Sequence, residues 1–283
     1  MFTSLQKSIR SFLDPYYLSN TLHQKSMHAV AQKVTGAVLD VGCGKKPYEK
    51  MFSQATHYYG VELPSYRGDY RHIDWYADGY HLPFRKDTFD TIILQQVLEH
   101  VEEPSVLLNE LARVIKPGGR IIISTPQTWG IHEAPRDYYR YTHFGLRYLC
   151  QKAGLAVEEE IKTNGSIVTL IQRAIPFWLS LFPIRKNKVL ELLLLLTVFV
   201  PSRSALFVDR LLHKKGETLY NVMVAQKPGV GKKINNDKFH ITFVCPDCKN
   251  LLSEKNKRLH CDHCKAYYGK RNGRWNFTTT TRK

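Results

Sequence analysis

Cys245, Cys248, Cys261 and Cys264 form two CxxC pairs twelve residues apart, at the spacing that places two thiolates on each of two tight knuckles. In a reducing compartment such a set takes a tetrahedral Zn2+ as a structural, closed site. A second chemical set lies near the amino end. Gly42, Cys43 and Gly44 follow a short apolar strand, and the carboxylate of Glu62 stands twenty positions after Gly42 at the end of a second strand. Glycines at that turn let a ligand approach main-chain N–H groups, and a carboxylate there accepts hydrogen bonds from ribose hydroxyls. A dinucleotide fingerprint GxGxxG would require glycine at position 47, and the chain has Pro47.

The elements that position these groups alternate strand and helix. Apolar runs predict strands at Ala37–Asp40, His57–Glu62, Phe89–Gln95, Arg120–Ser124, Leu155–Lys162 and Thr218–Gln226. A helix is expected to start near Lys46 or Pro47. Another should run from Pro104 to Lys116, with Val106, Leu107, Leu111, Val114 and Ile115 on one face and Gly118-Gly119 ending it. A helix around Thr21–Val34 leads into the first strand as part of a lid. Before it, Phe2, Leu5, Ile9, Phe12 and Leu13 recur at helical spacing.

These segments, in this order, resemble the class I S-adenosylmethionine (SAM) methyltransferases, in particular the group that includes quinone-biosynthesis enzymes. The resemblance covers residues 37–163 and a last strand at 219–226. It implies an α/β fold: a Rossmann-like sheet with helices on both faces, and a small carboxyl-terminal domain. It also implies that Asp40, Gly42, Cys43 and Gly44 form the cofactor loop, that Glu62 meets the ribose and Asp78 the adenine, and that Gln95 walls the methionine part. Lys46 stands where many members have a third glycine. The cysteine module, with Tyr267-Tyr268 and Gly273–Phe277, resembles the zinc-ribbon proteins that activate tRNA and other methyltransferases.

Methyl transfer needs the acceptor held in line and, for a hydroxyl or amine, a base. Loops at the carboxyl ends of strands build the crevice of open α/β sheets. The loop Trp129–Thr142 is therefore the expected acceptor site, with His132 as base and Tyr138 and Arg140 as positioning groups; His100 is read as structural or on the cofactor side.

The expected domains are lid helices at 1–36, a methyltransferase domain at 37–226 with an apolar helical insertion at 164–218, a linker at 227–240 and a zinc ribbon at 241–283. In the insertion neither apolar stretch, Ala174–Ile184 or Val189–Val200, reaches the ~18 residues that span a bilayer. Burial under its own helices, in a dimer interface or at a membrane surface beside Arg185–Lys188 are the alternatives. Cys150 is expected as a small buried residue, and His260 and His263 as solvent-facing.

Of the formal charge of +16, residues 227–283 supply +10, from 14 Lys and Arg against four Asp and Glu. Such a module suits a polyanion such as RNA, anionic lipid or acidic glycan. With no apolar stretch at the amino end long enough for a secretory signal, a cytoplasmic location is expected, peripheral at the membrane if the insertion meets lipid. The leading reading is a SAM-dependent methyltransferase acting on a small-molecule, saccharide or lipid-linked acceptor. The alternative is an RNA methyltransferase that docks RNA through the basic ribbon, although no Asn-Pro-Pro-Tyr-like tetrapeptide follows the Phe89–Gln95 strand. An inactive SAM-binding scaffold is a third reading.

Overall fold

The structure is a computed structural model that describes residues 16–64, 70–181, 188–212, 216–229 and 239–282. The amphipathic stretch before residue 16, most of the linker and Arg185–Asn187 lie outside these residues.

A seven-stranded sheet forms the centre, in the order β3-β2-β1-β4-β5-β7-β6. Its strands are β1 (Gly36–Val41), β2 (Ala55–Glu62), β3 (Trp75–Tyr76), β4 (Phe89–Gln95), β5 (Ile115–Pro126), β6 (Ala156–Lys162) and β7 (Tyr220–Gln226). The first five are parallel, and β7 runs antiparallel between β5 and β6. The order reverses beside β1, so the ends of β1, β2 and β4 open a crevice there.

Period-two alternation divides the core cleanly. Leu39, Val41, Ile92, Leu94, Ile121, Ile123, Met223 and Ala225 point to one face. Val38, Ile93, Ile122, Val222 and Val224 point to the other. The first face packs under helices α2 (Pro104–Val114) and α3 (His143–Lys152) through Leu107, Leu111, Leu146 and the fully buried Cys150. The second packs under α1 (Tyr17–Val30) through Met27 and Val30. The sheet is thus a mixed α/β, Rossmann-like one.

One expected helix is absent. After β1 the chain makes a loop with a single short 3-10 turn at Glu49–Met51. Lys46 adopts a left-handed φ of +51°, which a helix cannot include, and its ammonium folds inward to Asp74 at 2.6 Å. Gly60 leaves the room, because a Cβ there would meet Cys43 Sγ at 2.5 Å and Lys46 Cε at 2.6 Å.

The insertion between β6 and β7 forms α4 (Ser166–Ser180) and α5 (Lys188–Leu211), each with an internal proline. Val168 and Ala205 anchor them beside Leu18, Leu22 and Leu219. Their outer surface keeps Leu170, Phe177, Trp178, Leu181, Phe207 and Leu211 exposed. Part of this apolar surface is therefore not covered by the chain's own core; side chains of Leu192–Leu196 lie outside those described. Among the described residues no helix is long and apolar enough to cross a membrane.

The cysteine module contains β8 (Ser253–Lys255), β9 (Arg258–Cys261), β10 (Ala266–Tyr268) and β13 (Thr281–Arg282) in one small sheet. β11 (Lys270–Arg271) pairs with β12 (Arg274–Trp275). It is welded to the central domain. Phe239, Ile241 and Phe243 pack against the core of the first face. The ring of Phe243 meets Trp75 at 5.5 Å and Phe84 at 6.2 Å between centroids. Beneath, Glu110 accepts from Lys249 (2.8 Å), Arg113 (2.7 Å) and the Leu82 N–H (2.8 Å). His260 is buried, contrary to expectation: strand alternation sets it on the face of β9 opposite Leu259 and Cys261, and there the ring of Tyr267 covers it at 4.3 Å between centroids while its Nδ1 lies 3.1 Å from the exposed Asp262. His263 is exposed.

Truncating the half-buried Phe243 opens this junction. Phe243→Ala should cost about 2 kcal/mol, below the ~3–5 typical of fully buried phenylalanine, and lower the melting temperature by roughly 4–8 °C. Leu251→Ala, at an exposed position of the same module, should shift it by less than about 1 °C; equal shifts would mean the junction carries no special stability.

Candidate functional site

The crevice at the reversal point is a cavity of about 370 Å³. Gly42, Glu62 and Asp78 line it, together with Val97, His100, Tyr80, Arg136 and Tyr138. Each arrives for a local reason. Gly42 holds φ +71° and Gly44 φ +49°, so the chain reverses at the end of β1; a side chain on Gly42 would collide with Val97. Glu62 ends β2, its Oε2 accepting from Gly44 N–H (3.2 Å) and its Oε1 from Leu63 N–H (2.9 Å). Burial raises its pKa while those two N–H groups oppose the rise. Asp78 follows β3 and caps the next turn by accepting from Tyr80 N–H (3.0 Å).

Asp40, Cys43 and Gln95 lie behind this wall. Asp40 is buried inside β1, where Tyr58 donates to its Oδ2 (2.7 Å). Cys43 is buried under the turn, and burial pushes its thiol well above the ordinary range. Gln95 turns toward α1 and reaches His23 Nδ1 at 3.5 Å.

His23 is a residue that sequence reasoning missed. It sits in the buried stripe of α1 with Ser19, Ser26 and Val30, between Tyr48 (3.2 Å from Nδ1) and Ser124 (2.7 Å from Nε2). Burial lowers it to about 4, so it is neutral at physiological pH. Its only sequence signal is a histidine at i+4 from Ser19 in that stripe. Asp74 was missed as well; it holds both Lys46 and the Gly60 N–H (2.7 Å) beneath the glycine turn.

The loop 129–142 folds over the crevice. Tyr138 and Tyr139 N–H groups both donate to Glu99 O, and Tyr138 Oη donates to Glu102 (2.7 Å). Tyr138 therefore faces the cavity. Arg140 is spent inside the loop: it forks onto Asp137 (2.7 and 2.8 Å) and donates to Gly130 O (2.7 Å) and Trp129 O (3.2 Å). Its hydrogen bonds hold Asp137 well below the usual carboxylate range. His132 is not among the cavity-lining residues, but its ring stands edge-on to that of His100, centroids 4.8 Å apart.

The four cysteine sulfurs lie within 4.8 Å of one another. Cys248 and Cys261 are 3.5 Å apart, close to the ~3.8 Å between ligands on a tetrahedral zinc. Burial opposes a thiolate at Cys248, yet the Asn250 N–H and the neighbouring thiols hold it down to about 6. The cluster is compatible with a zinc-binding element.

Burial raises Asp40 from its ordinary 3.8 to about 7; Tyr58 and Lys46 oppose the rise, and Glu62 and Glu49 add to it. The native state therefore keeps a proton that the unfolded chain releases near pH 4. The stability contributed by neutral Asp40 is full below about pH 4 and is lost as pH rises through about 7. Asp40→Asn should accordingly gain melting temperature relative to the natural protein as pH goes from 5 to 8; a pH-independent difference would show that Asp40 is ionised throughout.

Residues 39–123 match the family model described as a methyltransferase domain. A demethylmenaquinone methyltransferase of Clavibacter sepedonicus is 48% identical over 74 residues, 26% of this chain and 30% of that protein. A ubiquinone biosynthesis O-methyltransferase of Aeromonas salmonicida is 27% identical over 124 residues, 40% of this chain and 50% of that protein. The chain thus spans half or less of these curated relatives. Among solved structures, a complex between the Haloferax volcanii Trm112 methyltransferase activator and a methyltransferase aligns at 17% identity and TM-score 0.47, covering 74% of this chain and 93% of that one. Residues 39–123, which carry the glycine turn and Glu62 at the end of β2, thus resemble a methyltransferase domain.

Proposed function

We propose that the protein transfers the methyl group of SAM to a small-molecule, saccharide or lipid-linked acceptor. The observation that carries this reading is the cavity at the reversal point, where Gly42, Glu62 and Asp78 converge. Main-chain N–H groups at the turn suit the cofactor's amino acid end, Glu62 its ribose hydroxyls, and Asp78 its adenine amino group. Transfer would break the S–CH3 bond of the sulfonium and form a bond to the acceptor, whose proton leaves to a base. His132 and His100 are the imidazoles on that side, and Tyr138 and Arg136 flank the opening. The quinone names of the relatives favour an acceptor with an apolar body, which suits the Val97, Val101 and Leu107 lining, and the name of the O-methyltransferase among them favours an oxygen as the acceptor atom.

Methyl-tritiated SAM incubated with the protein and a lysate of its own cells should place label in the organic-soluble or glycan fraction. Ribonuclease-sensitive label would overturn the acceptor class.

We read the four cysteines as a structural Zn2+ site whose work is to brace the cofactor pocket. Phe277 N–H donates to Tyr76 O (2.8 Å), Asn276 bridges Tyr76, and Asn272 donates to Tyr76 Oη (3.1 Å). Arg274 donates to Ile73 O and to Arg71 O. All of these act on the segment that ends in Ala77 and Asp78. Cys248→Ser, or removal of the metal by a chelator, should therefore release zinc and weaken SAM binding by at least fivefold in calorimetry; unchanged SAM affinity in zinc-free protein would make the module an independent unit.

A further inference from the structure

We infer that Glu99, His100 and His132 form a second metal site, for a divalent cation of the manganese-to-zinc class, at the acceptor side of the crevice. Glu99 is fully buried, and neither of its carboxylate oxygens has a hydrogen-bond partner. A buried carboxylate left unpaired is costly, and native structures rarely keep one without a partner or an ion. Its Oε1 lies 3.8 Å from His100 Nε2, too far for a hydrogen bond.

Both imidazoles are set up as ligands. His100 Nδ1 donates to Arg136 O (2.6 Å), which leaves the lone pair on Nε2, the nitrogen that faces Glu99. His132 Nδ1 has two oxygens near it, Gly130 O at 3.2 Å and Asp137 Oδ2 at 3.5 Å, against one Arg140 N–H nitrogen at 3.4 Å. The two acceptors favour a proton on Nδ1 and a free lone pair on Nε2. Backbone and carboxylate partners of this kind orient metal-bound histidines and raise their basicity.

One potential ligand atom from each of the three residues, a ring nitrogen for each histidine, lies within 4.8 Å of the others. Ligands on a common ion stand about 3.0–4.2 Å apart, so a closure of about 1 Å completes the set. Two imidazoles and one carboxylate suit manganese, iron, cobalt or zinc over magnesium. Asp137 does not compete, because Arg140 already occupies it. Glu133, whose Oε2 is 3.9 Å from His100 Nε2, offers a fourth ligand from the solvent side.

His100 is the one member of the trio that lines the cavity, so an ion bound to it would stand beside the space proposed for the acceptor. A cation there would take an acceptor oxygen as a further ligand and lower its pKa, the proton leaving to solvent, because with the ion bound the two imidazoles are ligands and no longer candidate bases. That role rests on the methyltransferase reading; the cation site itself does not.

Mn2+, which thiolates bind only weakly, tests the site with little competition from the four cysteines. Titration followed by the electron paramagnetic resonance of free Mn2+ should show one ion bound per chain at micromolar to sub-millimolar concentration. Glu99→Gln and His132→Ala should each weaken binding at least tenfold, while His28→Ala, on the exposed side of α1, should not. Circular dichroism and SAM calorimetry on the same variants report whether they fold and whether the methyltransferase reading stands. Absence of bound Mn2+ up to millimolar concentration, or equal affinity in folded Glu99→Gln and the natural protein, would overturn the inference.

Discussion

Strand β3 is two residues long and keeps its place because it is held from both sides. Val61 and Glu62 pair with Trp75 and Tyr76 on one flank, and Asn276, Phe277 and Asn272 hold Tyr76 on the other. A two-residue edge strand has too few ladder bonds to stay put alone. Asp78 and Gly79, which line the crevice, hang directly from it. The fixed position of one wall of the cavity is therefore a property of the cysteine module as much as of the central sheet.

The junction that makes this work is aromatic and ionic together. Trp75, Phe84, Phe89 and Phe243 meet at centroid distances of 5.0 to 6.2 Å in edge and tilted arrangements, which favour contact between ring faces and edges. Glu110 lies beneath them, paired with Arg113 from its own helix and Lys249 from the module, and Lys249 and Arg113 lower its pKa although burial opposes them. A buried charge with three donors is satisfied, whereas removing either cation leaves part of it uncompensated. The positive charge of the module is thus used in part at this seam.

On the opposite side of the crevice, polar groups are buried with tight accounts of their hydrogen bonds. The Lys46–Asp74 pair and the Tyr58–Asp40 bond sit under the glycine turn, and His23 ties α1 to Ser124 at the end of β5. Glu99 is the exception among these groups, buried beside two histidines with its oxygens unpaired. The contrast between the satisfied groups under the glycine turn and the unsatisfied one under the loop 129–142 is the basis of the cation site proposed above.

Apolar runs were enough to locate six of the seven central strands, because a strand buried on both faces must be apolar and one ending in a crevice must end in turn chemistry: β4 at Phe89–Gln95 and the termini of β1 and β2 are legible in that way, whereas the two-residue β3 is too short to show a run. The CxxC spacing likewise specified the thiol cluster, since two residues between cysteines force both sulfurs to one side. Local pattern could not forecast the missing helix after Gly44, because the inward turn of Lys46 depends on Asp74, 28 residues away, and on the absence of a side chain at Gly60. Nor could it show that Arg140 is consumed by Asp137, that His23 reaches Ser124 across 101 positions, or that Glu99 is left without a partner. Those outcomes rest on distances between segments remote in sequence, and only the packed chain sets them.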